Sequence, residues 1–211
     1  MAFRDLYHPH AAQSRSVAGC GSKFITRSKE FGEYAAQKKG PISYGSAGAG
    51  SASHLSGALF NSMAKGDMLH IPYKGGAPAN ADLIGGQIQA VFSPLAEVLP
   101  YLESGKLRAS GVTTKERTAR LPDVPAITEV LPGYEITLWN GVFLPAGTPQ
   151  PIVDKLAAAI RTVTQDPAFR KTLTDQGSKH VDNTPAEFKA LVNAEIDKWA
   201  QLVNLSGASV D

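Results

Sequence analysis

Between Tyr44 and His54 the chain reads Tyr44-Gly45-Ser46-Ala47-Gly48-Ala49-Gly50-Ser51-Ala52-Ser53-His54, a run of minimal side chains and short hydroxyls. Small residues let a ligand approach the backbone closely, and unpaired N–H groups at a helix start attract an anion. The run lies between a strand-like segment, Pro41 to Tyr44, and a helix-like segment, Leu55 to Lys65. It fails as a P-loop, because Ser51 stands where the phosphate-binding Lys belongs and Ala52 where the Mg²⁺ ligand belongs. Its glycines are not spaced G-x-G-x-x-G, and no G-x-S-x-G elbow marks Ser46, Ser51 or Ser53 as a nucleophile. What survives is a non-covalent grip in which backbone N–H groups and hydroxyls hold a small anion, most simply a carboxylate. His54 has two readings, a general base or a locally hydrogen-bonded residue of the first helical turn. No acidic partner or nucleophile is spaced with it, which favours the second.

Two more turns have the same form. His70-Ile71-Pro72-Tyr73-Lys74-Gly75-Gly76-Ala77 runs from strand through glycines into helix, and Phe92-Ser93-Pro94 does so again. In a parallel sheet all three turns fall at the carboxyl ends of the strands, where ligands of open α/β sheets bind. Tyr73 offers a flat wall and a hydroxyl, while Lys74 reads as solvated rather than as a direct contact.

The elements that must position these turns alternate. Helices are expected over Phe31 to Gln37, Ala77 to Ile84 and Pro94 to Leu102, and strands over Met68 to Tyr73, Gln87 to Phe92 and Leu107 to Val112. That alternation predicts an α/β fold with a mostly parallel sheet flanked by helices. A Pro-rich stretch from Leu121 to Gly133 and two apolar runs, Ile136 to Trp139 and Val142 to Leu144, precede a helix opened by Pro149. The helix stripe is Ile152, Val153, Leu156, Ala157, Ile160 and Val163. A further helix spans Pro167 to Gln176. The last begins at the capping box Thr184-Pro185-Ala186-Glu187 and buries Phe188, Leu191, Val192, Ile196, Trp199 and Val203. Trp199 reads as core, not as part of a cofactor site. The composition shift between Val112 and Pro125 marks a boundary, giving expected regions 1–25, 26–112 and 113–211. The first of these, without periodicity, is expected to be irregular.

With 43% apolar and 19% charged residues the chain can form a packed core. A net charge of +2 with scattered Lys and Arg gives no nucleic-acid footprint. The single cysteine, Cys20, permits no internal disulfide, no Cys-His cluster suggests zinc, and no cofactor is implied. Cys20 is expected to be an unpaired thiol in a loose segment.

Tyr44-Gly45-Ser46-x-Gly48-x-Gly50-Ser51-x-x-His54-Leu55 resembles the signature of the Bug (TctC-like) extracytoplasmic solute receptors of tripartite tricarboxylate transporters. His70-x-Pro72-Tyr73-Lys74-Gly75 with Asp82-Leu83-x-x-Gly86 is similar to the family's next block. So are Gly105 to Ala109, Leu121 to Pro125 and Pro145 to Pro149, in order and spacing. The resemblance implies a periplasmic-binding-protein-like fold of two α/β lobes that close on a small carboxylate, a dicarboxylate or hydroxy acid, without catalysis. It implies a periplasmic location and transporter subunits as partners. It assigns ligand contacts to Ser46, Gly48, Gly50, Ser51 and Ser53, with Tyr73, Gly75, Gly76 and Ser93 lining the same cleft; Ala47, Ala49 and His54, in the same turn, are expected beside them.

The chain departs from the family pattern in two ways. Met1 to Phe24 does not resemble the long N-terminal portion of the family, and no secretory signal pattern is present. The first lobe is therefore expected to be incomplete, leaving apolar helix surface that a homodimer or domain exchange would cover. Ser93 stands where many relatives carry Asp, so the pocket is expected to disfavour amino acids. The competing readings are an α/β enzyme with His54 as base and a truncated remnant that binds nothing.

Overall fold

The computed structural model describes residues 11–14, 16–20 and 42–208. The helix expected over Phe31 to Gln37 lies outside them. The chain divides into two compact units, one of residues 139–199 with Ala11–Ser14, the other of residues 16–20, 42–138 and 200–208. The break falls at Leu138 and Trp139, while the sequence reading expects one between Val112 and Pro125. The stretch after Val112 belongs to the larger unit because it bonds there. Val112 bridges Ala126, Thr113 Oγ1 donates to the Ile136 carbonyl at 2.8 Å, and the Tyr134 hydroxyl donates to the Ser56 carbonyl at 3.1 Å.

The larger unit contains β2 (Ser16–Cys20), β3 (Ile42–Ser46), α1 (Ala52–Met63), β4 (Met68–Pro72), α2 (Gly76–Ile84), β5 (Ala90–Pro94), α3 (Leu95–Glu103) and β6 (Arg108–Val112). Its sheet has the order β4-β3-β5-β2-β6. Strand β3 pairs parallel with both β4 and β5, while β2 pairs antiparallel with β5 and β6. Strand β2 corrects the expectation that the N-terminal region is irregular. Cys20, expected in a loose segment, closes this strand opposite Ala90 and Arg108.

The two faces of the sheet are covered differently. On one lie the aromatic side chains Tyr44, Phe60, Phe92 and Tyr134, all nearly inaccessible to solvent, with ring centroids 5.8–6.2 Å apart along the chain of contacts. Gly57 lets α1 settle on the Tyr44 ring, since a Cβ there would collide with it. The opposite face packs Leu83, Val91, Leu95, Val98 and Val112 beneath α2 and α3. The strand expected to begin at Gln87 begins instead at Ala90, because Gln89 turns back to pair with Ser43: Gln89 Oε1 accepts from the Ser43 N–H and Oγ at 2.9 Å.

The smaller unit contains the sheet β7-β1-β8, formed by β7 (Leu138–Gly141), β1 (Ala11–Ser14) and β8 (Lys179–Val181), with α4 (Gln150–Gln165), α5 (Pro167–Asp175) and most of α6 (Pro185–Ser206). Phe188 and Val192 pack with Trp139 and Phe143, and Glu195 accepts from both indole N–H groups, Trp139 at 3.2 Å and Trp199 at 2.8 Å. The capping box of α6 forms as the sequence predicts: Thr184 N–H and Oγ1 both reach Glu187 Oε2, at 2.7 and 2.8 Å. The α4 stripe does not find a full cover. Val153 is buried, but Ile152, Leu156 and Val163 are 50%, 39% and 52% exposed.

Tyr134 ties the 113–138 stretch to α1 through both its ring and its hydroxyl. Tyr134→Phe should lower the unfolding free energy by about 1 kcal/mol, and Tyr134→Ala by about 3–5 kcal/mol. Urea unfolding followed by far-UV circular dichroism measures both, and equal losses would mean that the ring contributes little.

Candidate functional site

The parallel register places the three strand-helix turns at one edge of the sheet. Tyr44 stands opposite His70 and Ala90, and Ser46 opposite Pro72, so β3 and β4 end level, while β5 runs two residues further to Pro94. The first turn forms a recess of about 130 Å³ with the starts of α1, α2 and α3. Ser46, Ala47, Ser51, Ser53, Gly76 and Ser93, all expected at the site, line it.

Within the turn most donors are already committed. Gly48 N–H donates to Ser46 Oγ at 3.1 Å, and Gly50 N–H to His54 Nδ1 at 3.1 Å. Ala47 N–H donates to Ser53 Oγ at 2.9 Å, and Gly75 N–H to the Ala47 carbonyl at 3.1 Å. Ser51 caps α1: its Oγ accepts from His54 N–H at 3.3 Å and donates to the Gly48 carbonyl at 2.6 Å. Gly50 takes φ = +72°, a conformation that costs glycine nothing and a larger residue about 1 kcal/mol or more. The glycines therefore shape the turn rather than supply its free donors.

The uncommitted donors are at the start of α1. Ala52 and Ser53 are its first residues, so their N–H groups have no partner one turn back, and neither finds another among the described residues. Ser53 Oγ, half-buried, donates to Ser51 Oγ at 3.0 Å, because the Ser51 proton is on the Gly48 carbonyl, and a ligand oxygen would take the Ser53 proton only in exchange for that bond. Two amides and one hydroxyl converge where the helix dipole favours negative charge.

Other expected site residues turn away. His54 is buried beneath the turn, its Nδ1 occupied by Gly50, its ring stacked on His70 with centroids 3.7 Å apart. His70 Nε2 lies 2.6 Å from Ser46 Oγ, whose residue is 1% exposed. Tyr73 donates its hydroxyl to Asp82 Oδ2 at 2.8 Å, and its ring lies against Gly45. Gly48, Ala49, Gly50 and Gly75 do not line the recess, and Lys74 is exposed outside it. Ser93 lines the recess, yet its hydroxyl donates to Asn80 Oδ1 at 2.9 Å within the protein. Sequence reasoning missed Glu97, which reaches the recess from α3, and Phe92, which forms part of its floor. It also missed the role of His70, although the alternation of Tyr44 and Ser46 on one face of β3 predicts that a residue opposite Tyr44 can reach Ser46.

Residues 22–207 match the family model for the tripartite tricarboxylate transporter family receptor. The UPF0065 protein in the tcbD-tcbE intergenic region of Pseudomonas sp. (strain P51) is 34% identical over 171 residues, 80% of this chain and 51% of that protein. The chain thus spans about half the length of that relative. An R. palustris protein solved with adipate superposes with a TM-score of 0.88 at 29% identity, covering 97% of this chain and 70% of that one. MatC from Rhodopseudomonas palustris, with bound malate, gives 0.83 at 30% identity, covering 95% and 70%.

The stacked histidines make stability depend on pH. Burial and then the neighbouring His54 hold His70 down at about 4, below its ordinary value of 6.5, and burial lowers His54 as well. Between these values the unfolded chain takes up protons that the folded chain refuses, so stability is full above about pH 6.5 and falls as the pH drops toward about 4. Replacing His70 with Gln removes one titrating ring and should flatten that fall in urea titrations. An unchanged pH slope in the variant would place the dependence elsewhere.

Proposed function

The chain belongs to the tripartite tricarboxylate transporter receptor family, and we propose that it acts as a solute-binding protein that holds the carboxylate of a small organic acid at the N-terminus of α1. The observation that carries this reading is the pair of unpartnered N–H groups on Ala52 and Ser53, beside the Ser53 hydroxyl and at the recess. A carboxylate accepts several such bonds at once, and each is strengthened by its charge. The adipate and malate held by two structural neighbours are small organic acids, which supports the same ligand class. Ser46, Ser51 and the turn glycines hold the grip in shape, while Ser53, Ala52 and Gly76 offer contacts.

The family is one of receptors, not of enzymes. The site agrees with that, since His54 spends its Nδ1 on the Gly50 N–H beneath the turn rather than facing the recess. By family, the loaded protein would work outside the cytoplasm and deliver its ligand to membrane subunits of a tripartite transporter.

The test separates the donor from the fold. Ala52 is the first helical residue and follows an extended N-cap, Ser51 at ψ = 158°, a position that proline occupies without strain. Ala52→Pro removes one N–H, so the melting temperature should hold while affinity for the acid falls by about tenfold or more. Ser53→Ala should act in the same direction. Calorimetry against a panel of small mono- and dicarboxylates measures both, and full affinity in both variants would defeat the reading. Turnover of any acid in that panel, lost in His54→Ala, would instead favour an enzyme.

A further inference from the structure

The recess lining contains one ionisable side chain, Glu97, and the carboxylate grip does not use it. Glu97 is the third residue of α3 and is exposed. Its carboxylate lies against Gly76, the first residue of α2, so closely that a Cβ on residue 76 would collide with Oε2. With no side chain at position 76 the carboxylate rests against the start of α2, a place from which a Cβ would displace it. Glu97 makes no hydrogen bond or ion pair among the described residues.

The recess therefore has two opposite ends. At the start of α1 are N–H donors and a hydroxyl suited to an anion. Where α2 meets α3 is a carboxylate with no partner. In a volume of about 130 Å³ a ligand seated at the first end also lies near the second. A second ligand carboxylate there would meet a like charge, with no cation in the lining to neutralise it. A hydroxyl, amide or ammonium would instead find a charged acceptor. Ser93, whose proton is bound to Asn80, leaves only a buried, uncharged oxygen as acceptor there.

Building on the reading of this site as a carboxylate grip, we propose that Glu97 is a specificity-determining residue. It selects acids whose far end carries a hydrogen-bond donor, an ammonium, hydroxyl or amide, over dicarboxylates. The expectation drawn from Ser93 alone, that amino acids are disfavoured, is reversed, because the negative group enters from the following helix.

Calorimetry on the full chain with succinate, succinamate, gamma-hydroxybutyrate and gamma-aminobutyrate, and with the same end groups on shorter and longer chains up to adipate, tests the proposal. The expected result is binding of the donor-ended acids at least about tenfold tighter than the matching dicarboxylate, with the gap closed in Glu97→Gln. Glu97→Ser serves as a second variant should Gln disturb α3, and circular dichroism confirms that each is folded. A wild-type preference for the dicarboxylate, or a preference unchanged in both variants, overturns the role of Glu97 and leaves the grip standing. Binding of no acid by any of the proteins overturns the grip, and this proposal with it.

Discussion

The parallel pairing of β3 with β4 on one side and β5 on the other is the constraint from which the site follows. The register sets Tyr44 opposite His70 and Ala90. A one-residue slip would send Tyr44 to the α2 and α3 face and Gly45 to the aromatic face, exchanging a large ring for no side chain on both sides. Neither face could absorb that change. A Cβ at position 45 already meets Ile88, Tyr73 and Ala79, and one at position 57 meets the Tyr44 ring. With the register fixed by packing, the three turns fall at one edge of the sheet, and the helix starts that follow them share one recess.

The same register determines how the first turn is held. Ser46 lies on the face of β3 that carries Tyr44, so His70 reaches it from the neighbouring strand, and His54 stacks on His70 from α1. Ser46, Ser51 and His54 absorb donors and acceptors within the turn, and each bond removes one way for the loop to flex. The amides left over belong to the first residues of the helix, where no intrahelical acceptor exists. A turn held in this way has little ordering entropy left to lose. The glycines matter here through the backbone: φ values of +137° at Gly48 and +72° at Gly50 turn the chain between strand and helix.

Much of the fold was legible because helix and strand periods differ and the turns carry glycine and proline. The capping box at Thr184 and the strand-turn-helix order from β3 to α3 follow from local chemistry. Strand β2 was not legible. Ser16-Val17-Ala18-Gly19-Cys20 is short, with weak strand propensity, and it becomes a strand through its pairing with β5 and β6, distant in sequence. The stripe on α4 shows the converse: its period is helical and the helix forms, yet three of its apolar residues stay exposed. Periodicity records which face a helix is built to bury, and says nothing of what is present to cover it.

The candidate site was legible to the extent that backbone chemistry defines it. A run of small residues before a helix predicts an anion site whatever the side chains do, and Ser46, Ala47, Ser51 and Ser53 do meet at the recess. It was not legible which hydroxyls stay free, since that depends on His70 and Asn80, residues brought near only by the sheet. Glu97 lay outside every motif for the same reason. Its spacing from Pro94 nevertheless held a usable signal. A residue at the third position of a helix that starts on the ligand edge of a sheet can reach that edge. If the neighbouring helix opens on a glycine, as α2 does at Gly76, nothing stands in its way. Pairing acidic residues in the first turn of one helix with a glycine at the start of the next is thus a way to find charges that tune such a recess.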